Sequence, residues 1–231
     1  MTNIGGRPRR IDRRDILRVG LGIGLRDLSL NAVASALGVS AAALYRHVDG
    51  RWGLEQLVGE HLLAELRLPD DPERDAAGHL VDFGLALRES VLGHPGLAAY
   101  LQTLFPRGDG GRALLVAEIE ALGRRGYAPA TALVLASAVA SHTIGYAAGE
   151  EIQRDRGAEL EQHRDRVLSG IMADERLQLA HTDLPQVDSA GYFRLVLMAV
   201  VDGLVAAAPK DRSVHEVVAA LEARHCREAV R

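Results

Sequence analysis

Cysteine is nearly absent from this chain of 231 residues: Cys226, five residues from the end, is the only one. A single thiol excludes an internal disulfide framework and a cysteine-based zinc site. Aromatic residues are scarce, at 4%, and no stretch sustains the apolar/polar alternation of a half-buried strand. A sheet architecture is therefore not expected. No run is expected to reach the ~18 to 20 apolar residues of a membrane span. The N-terminal MTNIGGRPRRIDRR is basic but has no apolar core behind it, so it does not read as a secretion signal, and a cytoplasmic location is expected. Catalytic groupings are missing too. Nine histidines are scattered, and Glu222-x-x-His225 is the single Glu-x-x-His pair, whereas a di-iron bundle needs two such pairs and further glutamates. No Ser-His-Asp or Cys-His arrangement suggests itself. The expectation is a non-enzyme with no cofactor and no metal.

What the chain does contain is helical periodicity and an uneven charge. Apolar residues make up 48% and charged residues 25%, too apolar for disorder and ordinary for a globular protein. The net charge of −4 conceals two regions of opposite sign. Residues 1–51 hold nine arginines against four aspartates, a net +5, and the remainder holds 18 basic against 27 acidic residues, a net −9. A basic head on an acidic body suggests that the head meets a polyanion. Apolar residues recur at helical spacing and Gly or Pro marks the breaks, so the fold class is all-α. Helices are predicted at 12–23, 30–37, 40–47 and 51–68, then beyond the Pro69-Asp70-Asp71-Pro72 linker at 73–92, 95–104, 111–124, 129–153, 157–180, 189–208 and 213–229. The charge density between Arg154 and Asp188 fits an exposed helix and a loop.

Leu30 to Val48 has helix-turn-helix character. Val33, Leu37, Val39, Leu44 and Val48 form one apolar set that can pack two short helices across a tight turn against a third. Gly38 provides the positive φ that the turn wants, and Ser29 and Ser40 are placed as N-caps. The second helix keeps one face free, with Ala41, Ala42, Tyr45 and Arg46, and such a helix can enter a major groove about 12 Å wide. The segment DILRVGLGIG does not read as a strand entering a dinucleotide loop, because Asp27 occupies the third glycine position of GxGxxG and no βαβ unit follows.

The stretch ILRVGLGIGLRDLSLNAVASALGVSAAALYRHVDGR resembles the DNA-binding domain of the TetR family of bacterial transcriptional regulators. The resemblance lies in a leucine then Ser before the second helix, an Ala-x-x-Leu-Gly-Val turn, and Leu-Tyr-x-His followed by a basic residue. LGHPGLAAYL, RRGYAPATALVLASAVASHTIGYAAGEE and YFRLVLMAVVDGL resemble the body of the tetracycline-repressor branch in the same order. The resemblance implies a helix-turn-helix domain over 1–55 and a ligand-binding and dimerisation domain over 56–231. It implies DNA contacts at Ser29, Asn31, Ser40, Ala41, Ala42, Ala43, Tyr45, Arg46, His47 and Arg51. Alanines cannot read guanine or adenine bidentately, so Arg46 is the best guanine reader. Shape, or the N-terminal arginines in a minor groove, would add the rest. The first helix is about one turn shorter than the family's and holds Gly20, Gly22 and Gly24, which predicts a loose support.

For the body, the resemblance implies homodimerisation through helices near 129–153 and 189–208. Ala136, Ala140, Thr143 and Ala147, with Leu197, Val200, Val201, Leu204 and Ala208, are expected to form the two interface stripes of a four-helix bundle, the alternative being that both stripes face only the protomer's own core. It also implies a small-molecule effector, with Tyr100, Leu101, Thr103, Leu104, Glu118, His142 and Tyr146 as candidate contacts. Leu101, Leu104 and Gly149 stand where the branch holds a magnesium-chelated drug, so a metal-free and largely apolar ligand is expected. The combined expectation is a ligand-responsive regulator, most simply a repressor on a palindromic double-stranded DNA operator, not associated with a membrane. A constitutive architectural DNA-binding protein and a helical-bundle enzyme are the rival readings.

Overall fold

The computed structural model describes residues 11–104, 108–182 and 187–228. Every regular element among the described residues is helical: α1(Arg13–Ile23), α2(Leu30–Leu37), α3(Ala41–Leu44), α4(Gly50–Glu65), α5(Ala76–Gly93), α6(Leu97–Leu104), α7(Asp109–Arg124), α8(Pro129–Met172), α9(Glu175–Thr182), α10(Ser189–Ala207) and α11(Val214–Glu228). The chain divides into two compact units, one of Met1–Leu66 with His94–Leu114, the other of Arg67–Gly93 with Leu115–Arg231. The boundary expected at 55/56 falls inside α4, a continuous helix of 16 residues.

In the first unit α1 opens with a capping box, in which the Asp12 side chain accepts from the Asp15 amide and the Asp15 side chain accepts from the Asp12 amide. Two otherwise orphaned amides are satisfied this way. Of the three glycines behind the expected looseness, Gly20 has a packing role, while a Cβ on Gly22 or Gly24 would meet nothing within 4 Å. Gly20 is buried where α1 meets α4, and a Cβ there would lie 2.7 Å from Val58 Cγ2. Ser29 caps α2 by accepting from the Ala32 amide at 3.1 Å. Gly38 closes it in the left-handed region, φ 68° and ψ 33°, with its amide on the Ala34 and Ser35 carbonyls. The turn leads into α3, which is shorter than predicted. Residues 45–47 form a turn after Leu44, with the His47 and Val48 amides both on the Leu44 carbonyl.

α4 organises this unit. Leu54 and Val58 are fully buried near its start, and α1 and α2 pack on it. Farther along, Glu60 accepts from the Tyr100 hydroxyl at 2.8 Å and from the Gly111 amide at 2.9 Å, which ties α6 and the start of α7 to α4. The helix ends at Glu65 rather than Leu68 because Leu66 turns extended and Leu68 precedes a proline. The Pro95-Gly96 turn joins the same unit. The Arg26 amide donates to the Pro95 carbonyl at 3.1 Å, and Gly96 has φ +90° with a virtual Cβ only 2.5 Å from Arg26 N.

The second unit is a helical bundle in which α5 packs on α8 and α10. Leu80, Phe83, Leu87, Val139, Phe193 and Leu197 lie in its core. Gly84 allows the close crossing, with a virtual Cβ 2.8 Å from Leu197 and 3.2 Å from the Thr143 hydroxyl. The residues entering α5 are held by Arg125, which donates to the Asp71 and Arg74 carbonyls and pairs with Asp70. Burial would raise the Asp70 pKa, but hydrogen bonds from Arg124 and Arg125 outweigh it, and the carboxyl is held below its usual range. The two helices expected at 129–153 and 157–180 are instead α8, broken at Gly157 (φ 45°, ψ −131°), followed by α9. Residues 159–180 are mostly exposed, as the charge density implied; of the stretch 181–188 left between the predicted helices, 183–186 lie outside the described residues.

Two expectations about α8 and α10 need correction. Both α10 and the stretch Pro129–Gly157 are long and apolar enough, by length and composition, to cross a membrane. The expected interface stripes also face inward: Ala136, Ala140, Thr143, Ala147, Leu197, Val201 and Ala208 are all buried within the second unit, while Val200 and Leu204 are half-buried. The exposed faces carry other residues, with Leu133, Val134 and Ile152 on α8 and Tyr192, Leu195 and Met198 on α10. These helices are apolar on two sides, and spacing along one helix cannot say which side its own core uses.

Candidate nucleic-acid interface

Leu44 and Val48 are buried, and this fixes which side of α3 faces out. Ser40, Ala42, Tyr45 and Arg46 are exposed, while Ala41, Ala43 and His47 are half-buried. Ser40 stands at the N-cap position of α3 but makes no side-chain capping bond, so its hydroxyl oxygen is not taken up by an α3 amide. Ser29 is half-buried and its oxygen serves the α2 cap, yet its O–H can still donate outward. Asn31 is exposed on the first turn of α2. The sequence-predicted DNA contacts therefore lie along the α2 start and the α3 outer edge.

Arg51, expected to contact DNA, carries an ion pair within α4. Its Nε donates to Glu55 Oε1 at 2.6 Å across one turn of α4, with the arginine side chain 71% exposed. Exposed pairs at this spacing contribute only about 0.3–0.5 kcal/mol, so a phosphate can compete for the guanidinium. The arginines expected to enter a minor groove, Arg7, Arg9 and Arg10, lie outside the described residues. One exposed group escaped the sequence reading. Trp52, beside Arg51, is 58% exposed.

The candidate ligand contacts divide into engaged and open groups. Tyr100 is buried and its hydroxyl donates to Glu60. Leu101 is buried, Thr103 is exposed and donates to the Ala99 carbonyl at 2.8 Å, and the Leu104 side chain lies outside the described ones. Glu118 is fully buried in the second unit, with Oε2 2.9 Å from His79 Nε2. Its role there is to satisfy His79, a pairing invisible in sequence because 39 residues separate the two. His142 stacks on Phe193 at 6.1 Å between ring centroids and Tyr146 tilts against the same ring at 4.9 Å. The buried His142 Nε2 has no hydrogen-bond partner among the described residues.

Next to these rings lies an ion pair that sequence reading also missed. Arg88 binds Glu150 through two hydrogen bonds of 2.7 and 2.6 Å, and its guanidinium lies 5.2 Å from the Phe193 centroid. Ser189 donates to the same carboxylate. Burial would raise the Glu150 pKa, but the Arg88 and Ser189 hydrogen bonds prevail and lower it. Among the described residues no group of three His, Cys, Asp or Glu is placed to hold a metal ion.

No family model matches the chain. It is 28% identical over 170 residues to an HTH-type transcriptional regulator of Saccharopolyspora erythraea, a match covering 74% of this chain and 68% of that protein. In structure it is similar to the TetR family protein ActR of Streptomyces coelicolor in complex with actinorhodin, with a TM-score of 0.75, 24% identity, and 88% and 100% of the two chains covered. A TetR variant from Acinetobacter baumannii AYE in complex with minocycline superposes with a TM-score of 0.66 at 19% identity, covering 89% and 99%. The helix-turn-helix unit and the helical second unit together give this chain the fold of the TetR-family transcriptional regulators.

Proposed function

We propose that the chain is a homodimeric DNA-binding transcriptional regulator, a repressor released from a palindromic operator by a small, largely apolar molecule. The observation that carries the reading is the α2–α3 unit, buried on one side through Val33, Leu44 and Val48 and open on the other at Asn31, Ala42, Tyr45 and Arg46. An exposed short helix on a head of net +5 is suited to a major groove. Selection of bound duplexes from a random pool, followed by titration, tests it. A sequence-specific, two-fold symmetric site is expected, and binding that never rises above that of random DNA would refute it.

Dimerisation is assigned to the exposed faces of α8 and α10. Tyr192, Leu195 and Met198 on one and Leu133, Val134 and Ile152 on the other leave two apolar strips, which a second copy would cover in a four-helix bundle. Leu195→Asp should then give a folded monomer with weakened operator binding, whereas Val201→Asp should unfold the chain. A Leu195→Asp protein that stays dimeric would end this assignment.

His142 and Tyr146 around Phe193 are the proposed polar contacts for an effector. The buried His142 Nε2 has no partner among the described residues and the Tyr146 hydroxyl makes only a long bond of 3.5 Å to the Ser189 carbonyl, whereas Glu118 and Tyr100 are engaged by His79 and Glu60. Structural relatives are found in complex with actinorhodin and with minocycline, and for this chain we propose a small, largely apolar compound acting without magnesium. A melting scan against such compounds reads the gain RT ln(1 + [L]/Kd). Stabilisation only with added magnesium would overturn the metal-free reading.

A further inference from the structure

Arg51 is the second residue of α4, and the start of that helix lies against Tyr45, since a Cβ placed on Gly50 would be 3.8 Å from Tyr45 Cε1. Helix stability gives no reason for an arginine there. The helix dipole disfavours a cation in the first turn, and a basic residue four positions before an acidic one is the weaker order for such a pair. The bond to Glu55 is also unlike a stabilising fork. A bidentate arginine–carboxylate pair makes two parallel N–H···O bonds. Here Nε alone donates, at 2.6 Å, to Oε1 alone. Neither terminal amino group of Arg51 has a partner among the described residues. The two side chains are unequally placed, with 19% of Glu55 and 71% of Arg51 exposed. A largely covered carboxylate thus fixes the inner nitrogen of an outward guanidinium, and the four outer N–H bonds stay open.

We infer that Glu55 is a positioning residue for DNA binding: by holding Nε, it presents the two terminal amino groups of Arg51 to one backbone phosphate. The inference rests on the DNA-binding reading above, with Arg51 as a phosphate contact. A free arginine side chain loses rotamer freedom when it grips a phosphate, and one held beforehand loses less. Because a phosphate carries no sequence information, the gain is the same on any duplex.

Two variants separate position from charge. Glu55→Gln and Glu55→Ala remove the same negative charge, but only the first keeps an oxygen that can accept from Arg51 Nε. The full chain is titrated with the selected duplex and, at low salt, with a random duplex of the same length. Glu55→Gln should bind both duplexes more tightly than Glu55→Ala by the same factor, roughly two- to tenfold for one immobilised long side chain. In an Arg51→Ala background the two variants should bind alike, a comparison that cancels any effect of position 55 on the fold. Equal affinities with Arg51 present would overturn the inference, leaving Glu55 as a charge alone and the regulator reading intact. A gap that persists without Arg51 would overturn it in favour of a role in folding α4. A gap confined to the selected duplex would also overturn it, because Arg51 would then be reading bases. A wild-type chain that binds neither duplex would take down the regulator reading and the inference with it.

Discussion

The two units treat their polar side chains in opposite ways. In the first unit, Asn31, Ser40, Tyr45, Arg46 and Arg51 line an outer edge, and the ion pair at that edge, Arg51 with Glu55, is exposed. In the second, the comparable groups are turned inward: Arg88, Glu150 and Ser189 satisfy one another, and His79 satisfies Glu118. A displayed group is available for a partner and costs little to remove. An internal one stabilises the fold only while its counterpart remains, since a buried charge left alone is expensive. Hence the chemistry of the head can be read from exposed residues. In the body Arg88 and Glu150 are committed to each other, as are the buried His79 and Glu118, and the buried His142 Nε2 lacks a partner among the described residues.

Substitutions should separate the two regimes, and the largest effect belongs to the body. Arg88→Ala strands the Glu150 carboxylate and should cost about 3 kcal/mol in urea unfolding. The same pair supplies a pH test. The Glu150 pKa is lowered from 4.5, so its contribution is complete above that value and is lost as the pH falls through the depressed one. The stability gap between wild type and Arg88→Ala should stay constant from about pH 8 to pH 6 and narrow below about pH 4.5. A gap that widens on acidification would mean that the pair does not stabilise as described.

Next in size is Gly96→Ala. It forces a side chain into a left-handed backbone and onto Arg26 N, and should cost about 2 kcal/mol. Amide hydrogen exchange should accelerate first in the first unit, and uniform acceleration along the chain would contradict the division into units. Arg46→Ala should leave melting unchanged while relaxing preference at one base pair by about 1–3 kcal/mol, measured on a panel of single-substituted duplexes. The smallest change is expected from Arg51→Ala. Its loss of Glu55 should alter stability by less than about 0.5 kcal/mol, and binding to selected and random duplexes should weaken together with the salt slope lower by about one. A change in which sequence is preferred would mean that the roles of Arg46 and Arg51 are reversed.

Much of this architecture was legible in the chain itself. Ser29, Gly38 and the apolar set Val33–Val48 act within a few residues of one another, so local rules for caps, turns and helical spacing placed α2 and α3 to within a turn. The charge split between head and body is likewise a property of composition. Errors arose where a residue's meaning depends on a partner far along the chain. Gly20 reads as a weak point in a helix until Val58 comes against it, and the bond between Glu118 and His79 is invisible across 39 residues.

For the apolar first part of α8 and for α10 the sequence determined helices, each with an apolar or small-residue stripe. Only the tertiary structure decided that Ala140 and Leu197 point into the second unit while Val134 and Leu195 are left outside. Helical periodicity specifies angles around one axis, but which angle faces a neighbour depends on how several helices share a core, and no spacing within one segment encodes that.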